Sequence, residues 1–265
     1  MGRDVGVIIP AAGQGQRLGS DRSKALLTVA GAPMILHSLR LFARHPAVGP
    51  IVVAIREEDR AALQRLLREH RLTGQVQLAA GGASRAASVA NALRALPSDI
   101  AWVLVHDAAR PCLGKELLSR VIEEVRQHEA VAAGLPAALT VKTVDRDQMV
   151  RLTLDRESLW LAQTPQAFRR DWLEEAFARA ADRLEQMPDD AAVCEWAGYP
   201  VRMVHGDPLN VKVTVAEDLA LANAILSLRK SDGMFAVRSS KFEGSGNGQR
   251  RTRPRSSKLE ARTVS

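Results

Sequence analysis

The sequence predicts an α/β fold built on a mostly parallel sheet, and three observations predict it. Short apolar runs rich in β-branched residues alternate with amphipathic stretches from the N-terminus to about residue 228. The runs are near-continuous in apolar character, as expected of strands covered on both faces. Glycine-rich segments directly follow two of them, where open α/β sheets turn from strand to helix.

The elements follow in order. Val5–Ile9 is the first strand, and it runs into Pro10-Ala11-Ala12-Gly13-Gln14-Gly15-Gln16-Arg17-Leu18-Gly19, with Lys24 beyond. Ile35, Leu39 and Phe42 form one stripe at helical spacing, with Pro33 placed at its first turn. Ile51–Ile55 and Val76–Leu78 are the next strands, and Gly81-Gly82 after the second opens a helix. Trp102–His106 is a strand that ends on an acid, and Leu118, Val121, Ile122 and Val125 make another helical stripe. Val131–Leu135 and Val201–Val204 complete the strands; Leu221, Ile225 and Leu228 mark the last helix.

Residues 137–158 break this rhythm. Two β-rich runs, Thr140–Val144 and Val150–Leu154, flank the polar Asp145-Arg146-Asp147 and read as a hairpin. Such a hairpin is either a projecting arm, serving as lid or subunit contact, or an ordinary sheet edge. After Leu228 the composition turns to Ser, Gly, Arg and Lys without apolar periodicity. Residues 1–228 thus read as one domain and 229–265 as a basic, disordered tail.

Composition narrows the function. The chain carries a formal net charge of +7, but residues 230–265 hold nine Lys or Arg against three acids, which leaves the body near neutral. A nucleic-acid-binding role through the tail is therefore the alternative of another class. The near-neutral body, with one Tyr and five Phe for stacking, argues against it. Two cysteines, Cys112 and Cys194, form no close-spaced motif, so a reducing cytoplasm is expected. The six histidines lie at no metal-ligand spacing. No secretory signal and no apolar stretch long enough to cross a bilayer is found, so no membrane role is expected.

Three clusters could carry chemistry. The first loop lacks both the Walker ending and the dinucleotide glycine spacing. It offers backbone N–H groups with two cations, Arg17 and Lys24, suited to a triphosphate whose charge must be neutralised. Gly81-Gly82-Ala83-Ser84-Arg85-Ala86-Ala87-Ser88 adds backbone groups, a hydroxyl and a guanidinium that suit a base or a phosphate. In Val103-Leu104-Val105-His106-Asp107-Ala108-Ala109-Arg110-Pro111, Asp107 sits at the C-terminal end of a strand, where open α/β sheets bind ligands. Asp107 suits a sugar hydroxyl or a metal ion and Arg110 an anion, while His106 reads as a core or supporting residue. Asp155-Arg156, Gln163-Thr164-Pro165-Gln166 and Asn210-Val211-Lys212-Val213-Thr214 complete the set.

In this order and spacing, the motifs from about residue 5 to 228 resemble the 2-C-methyl-D-erythritol 4-phosphate cytidylyltransferases of the non-mevalonate isoprenoid pathway. The resemblance implies a Rossmann-like nucleotidyltransferase fold with a β-arm at 137–158, through which a homodimer forms. It implies that CTP lies over Pro10, Ala11, Ala12, Gly13 and Gly15, its base near Gly82, Ala83, Arg85 and Ser88, with Asp107 and Ala108 alongside. Asp107, Arg110, Thr140, Arg156, Thr164 and Lys212 would hold the acceptor, Thr140 and Arg156 reaching the neighbouring subunit's pocket. Arg17, Lys24, Arg156 and Lys212 would be the catalytic residues. Magnesium, or another divalent cation, would bridge the phosphates, with Asp107 the side chain weighed as a direct metal contact.

The implied reaction is in-line attack of the acceptor phosphate on the α-phosphorus of CTP, giving 4-diphosphocytidyl-2-C-methyl-D-erythritol and pyrophosphate. The nearest alternative is a ribitol 5-phosphate cytidylyltransferase with the same donor chemistry. Departures from the family pattern are Ser23 and Ala25 around the loop lysine, Leu139 before the arm threonine and Pro188 before Asp189-Asp190. None removes a residue assigned to chemistry. Some members of the family are fused to a later pathway enzyme; too few residues follow Leu228 for a second domain, so one activity is expected.

Overall fold

The computed structural model describes residues 2–13 and 23–231. The expected sheet is present. Its strands are β1 (Val5–Pro10), β4 (Val48–Ile55), β5 (Val76–Ala80), β6 (Trp102–Val105), β7 (Ala130–Pro136), β10 (Trp160–Arg169) and β11 (Arg202–His205), in spatial order β11-β7-β10-β6-β1-β4-β5. A two-stranded ribbon, β2 (Thr28–Val29) with β3 (Ala32–Pro33), and a hairpin, β8 (Lys142–Val144) with β9 (Val150–Thr153), lie outside it.

Side chains alternate across the strands, which is why the runs are apolar throughout. Val5, Val7, Ile9, Ile51, Val53, Ile55 and Leu104 face α1 (Met34–Arg44), α2 (Arg60–Glu69) and α4 (Lys115–His128). Ile8, Val52, Ala54, Val103, Val105 and Phe168 face α3 (Arg85–Ala95), α5 (Arg170–Arg179) and α6 (Asp190–Trp196). Each large aliphatic side chain buried this way contributes roughly 1.5–3 kcal/mol. The final helix, α7 (Ala216–Ser231), closes a smaller cluster with Val29, Met34, Cys112 and Val213. Of the tail expected from 229, the first three residues instead extend α7, with Arg229 bonded to Asp207 and the Cys112 carbonyl, and those from 232 onward lie outside the described residues.

One sheet strand escaped the sequence reading. β10 contains Gln163, Thr164, Pro165 and Gln166, joined by a cis Thr164–Pro165 peptide, and so lacks an apolar run. It is antiparallel to both neighbours, β6 and β7, whereas every other pair in the sheet is parallel. The hairpin forms where expected, and its side chains are exposed throughout.

β4 and β6 lie on opposite sides of β1, so the chain reverses its direction of winding at β1. Such a reversal opens a crevice beyond the C-terminal ends of the two strands, the usual ligand position in open α/β sheets. Here those ends carry the Pro10 loop and Asp107.

Candidate active site

A cavity of about 330 Å³ occupies this crevice. One wall is Pro10 to Gly13, directly after β1. A second is Gly82 to Arg85 with Ser88, at the start of α3. Asp107 to Ala109, after β6, form the floor, and Lys24 and Lys212 complete the lining. The structure therefore brings together ten residues expected around the nucleotide: Pro10, Ala11, Ala12, Gly13, Gly82, Ala83, Arg85, Ser88, Asp107 and Ala108. Arg17 and Gly15 lie outside the described residues.

The two glycine-rich walls meet closely. A Cβ on Gly81 would collide with the methyl of Ala12, so the absence of a side chain there lets the loops approach. Ser84 caps α3, its hydroxyl accepting from the Ala87 N–H at 3.1 Å. Ser88 accepts from the Gly82 N–H at 3.0 Å and donates to the Ser84 carbonyl, so it shapes the loop from beneath. Lys24 stands on a short 3₁₀ turn, Lys24–Leu26, between the buried Ser23 and Ala25. The departure at Ala25 is thus a core contact that leaves the cation at the cavity.

The floor is an ion-pair chain. Arg85 Nε donates to Asp107 Oδ1 at 3.0 Å and Lys212 Nζ lies 2.7 Å from Asp107 Oδ2. Arg85 Nη2 reaches further back, to Asp190 Oδ2 at 2.8 Å. Burial alone would raise the Asp107 carboxyl, but Arg85 and Lys212 on its two oxygens outweigh it and hold it well below the usual carboxylate range. Burial would likewise lower the Arg85 guanidinium, and the two flanking carboxylates reverse that. Asp190, completely buried at the start of α6, was not singled out in the sequence. Its only signal there was its place after the unusual Pro188.

Other expected residues serve the site without lining it. Arg110 is buried, and its terminal nitrogens donate to the carbonyls of Asn210 (2.8 Å) and Ala162 (3.4 Å), sewing the floor to β10 and to the Lys212 segment. Asn210 donates to the Thr164 carbonyl at 2.8 Å and the Val213 N–H to the Ala109 carbonyl at 2.8 Å, which delivers Lys212 to Asp107. The Thr164 hydroxyl accepts from the Asp107 N–H at 3.0 Å. Thr140 and Arg156 stand exposed at the hairpin and do not line this chain's cavity; Arg156 donates to the Ala138 carbonyl at 3.0 Å.

His106 is a core residue, as expected. It packs edge-on against Phe42 and bonds the Arg110 carbonyl at 3.1 Å through Nε2, with the Thr164 hydroxyl at 3.2 Å from Nδ1. The Arg110 carbonyl can only accept, which places the ring proton on Nε2 and leaves Nδ1 to accept from the Thr164 hydroxyl. Burial pushes the ring's pKa down from 6.5 to about 4. A base whose folded pKa is depressed contributes stability that is present above its unfolded value and lost as pH falls. The denaturation midpoint therefore falls between pH 6.5 and 4, an effect on the order of 3 kcal/mol. His106→Asn starts less stable but shows a shallower slope across that window. Equal slopes in thermal melts of the two proteins would refute the assignment.

Among the described residues no group of three His, Cys, Asp or Glu could hold a metal ion. Asp107, the only carboxylate among the described residues that line the cavity, has both oxygens in ion pairs, so these residues do not by themselves make a metal site. No helix among them is long and apolar enough to cross a membrane.

The family model of 2-C-methyl-D-erythritol 4-phosphate cytidylyltransferase (IspD) matches residues 5–228. The chain belongs to this family. It is 38% identical to the cytidylyltransferase of that name from Bacillus mycoides, over 84% of this chain and 98% of the relative. It is also 38% identical to the bifunctional enzyme IspD/IspF of Desulfotalea psychrophila, of which it spans 57% of the length. Among solved structures, 4-diphosphocytidyl-2C-methyl-D-erythritol synthase from Anaerococcus prevotii aligns with a TM-score of 0.74 at 29% identity, covering 84% of this chain and 98% of that one. The fold of the cytidylyltransferase family thus places both glycine loops, Lys24 and the Asp107–Lys212 pair around one crevice.

Proposed function

We propose that the protein transfers the cytidylyl group of CTP to 2-C-methyl-D-erythritol 4-phosphate, releasing pyrophosphate. The observation that carries this reading is the convergence of two glycine-rich loops, Lys24 and the Asp107–Lys212 pair on one cavity in a chain of the IspD family. The triphosphate lies along the Pro10–Gly13 backbone and Lys24, the base against Gly82 and Ala83, and the acceptor beside Asp107 and Lys212. The acceptor phosphate attacks the α-phosphorus in line. The nucleophile is already an anion, so no covalent intermediate or general base is required, and positioning with charge neutralisation lowers the barrier. The divalent cation belongs to the substrate: magnesium enters on the phosphates of CTP, because both Asp107 oxygens are engaged. The setting is the cytoplasm, where CTP is available, and the two buried, unpaired cysteines are compatible with it.

The deciding assay measures pyrophosphate release from CTP with methylerythritol phosphate and ribitol 5-phosphate offered in parallel. Release with the first acceptor is the expected result; release with ribitol phosphate alone would move the protein to the sister activity.

The active form is a homodimer in which the hairpin arm reaches the neighbouring subunit. Leu139, Val144, Met149, Val150 and Leu152 leave an apolar surface on the arm open to solvent, which a second chain would cover. Arg156 at the arm's base then completes the partner's acceptor pocket. On this reading Arg156→Ala and Lys24→Ala are each inactive alone, and a mixture allowed to exchange subunits regains partial activity, because each hybrid dimer holds one intact site. No recovery from verified hybrid dimers would show that the arm supplies nothing across the interface.

A further inference from the structure

The floor of the cavity is braced from outside by a closed ring of contacts. Thr164 and Gln166 stand two residues apart on β10. The Thr164 hydroxyl accepts from the Asp107 backbone N–H at 3.0 Å. The Asp107 side chain pairs with Arg85, and Arg85 with Asp190. Gln166 closes the ring, its carbonyl oxygen accepting from the N–H groups of Asp190 (3.1 Å) and Ala191 (3.0 Å), while its amide donates to Asp189 at 2.8 Å.

Asp190 is the unexpected member. It does not line the cavity and is 0% exposed, and its Oδ1 is buried without a hydrogen-bond partner among the described residues. A carboxylate so placed carries a large desolvation penalty, so its pairing with Arg85 is weak evidence of a purely stabilising role. What the acid does supply is geometry. By engaging Nη2 while Asp107 engages Nε, it fixes the plane of the Arg85 guanidinium from two sides. That in turn fixes the Asp107 carboxylate whose other oxygen meets Lys212.

We propose that Asp190 is a positioning residue of the transfer reaction: acting through Arg85, it holds the Asp107 carboxylate in the orientation that presents Lys212 to the acceptor phosphate. The inference rests on the reading in which Lys212 holds the acceptor. Gln166 belongs to the same device one step further out.

The test is steady-state kinetics with each substrate varied, on Asp190→Ala, Asp190→Asn, Gln166→Met and Lys212→Gln, with circular dichroism melts to establish folding. Misplacement of a positioned group costs about ten- to a hundredfold. Asp190→Ala should therefore raise the KM of the acceptor by that order, and by a larger factor than the KM of CTP. Asp190→Asn keeps an acceptor for Nη2 and should restore most of the loss, which a simple loss of stability would not predict. Should Asp190→Ala fail to fold, Gln166→Met carries the test, with a smaller shift in the same direction. Equal KM shifts for the two substrates, or none in the folded variants, would overturn the proposal. Lys212→Gln separates the two claims: if it leaves the acceptor KM unchanged, the reading of Lys212 falls, whereas a raised KM there with silent Asp190 and Gln166 variants removes only the role of Asp190.

Discussion

Lys24→Ala is expected to lower kcat by about 10²–10³-fold, equivalent to about 3–4 kcal/mol of transition-state stabilisation, while leaving the fold intact. The turn that carries Lys24 is anchored by Ala25 in the main core, so the cation is held in place against the cavity before substrate arrives. Charge on the phosphates increases toward the leaving pyrophosphate as the bond to the α-phosphorus breaks. A cation fixed in advance stabilises that state more than the bound ground state. Single-turnover measurement of pyrophosphate release checks the claim. A variant that raises the KM of CTP with unchanged kcat would show that Lys24 binds ground and transition states alike.

Arg85→Ala has the largest expected effect on stability, a loss of about 3–5 kcal/mol. Arg85 is the shared partner of Asp107 and Asp190, both buried, and its removal leaves two carboxylates facing each other's charge without it. The sign of the pH dependence follows. In the intact protein Asp107 is held below the usual carboxylate range, so its contribution is present above that range and lost only as pH falls well below it. Asp190 is already pushed upward by burial, opposed chiefly by Arg85. Without the guanidinium its folded pKa rises further above the unfolded value, and such a group loses stability as pH rises through it. The deficit of Arg85→Ala in denaturant unfolding should therefore be larger at pH 8 than at pH 5. A deficit independent of pH would mean that the carboxylates relax into water or find other partners.

The sequence made the sheet legible wherever a strand is covered by helices on both faces, because Val5–Ile9, Ile51–Ile55 and Trp102–Val105 then need apolar side chains throughout. β10 was hidden for the opposite reason. Gln163, Thr164 and Gln166 are buried, but their polar groups bond His106, Asp107, Asp190 and Asn210, so the strand reads as a loop. The cavity's glycine loops and lysines were legible because backbone approach and charge leave local marks. Asp190 left little beyond its place after Pro188: it lies 105 residues from its Arg85 partner, and only the tertiary fold brings the two together. Arg110 and Thr164 were expected at the acceptor, and their bonds to Asn210, Ala162 and Asp107 join segments far apart in the chain, which no spacing in the sequence states.

The lone antiparallel strand also has a consequence for how the protein is made. β7 pairs only with β10 and β11, both of which follow it in the chain. A nascent chain that has emerged as far as Pro136 can already pair β1, β4, β5 and β6 through successive crossovers, but β7 has no neighbour and its apolar faces wait. The whole hairpin must be synthesised before β10 arrives to wedge between β6 and β7. During that interval the half-built sheet presents β6 as an open edge, the kind of surface through which unfinished chains associate wrongly. Destabilising changes in β10 should therefore reduce the yield of folded protein in cells more than their effect on the stability of the finished molecule would suggest.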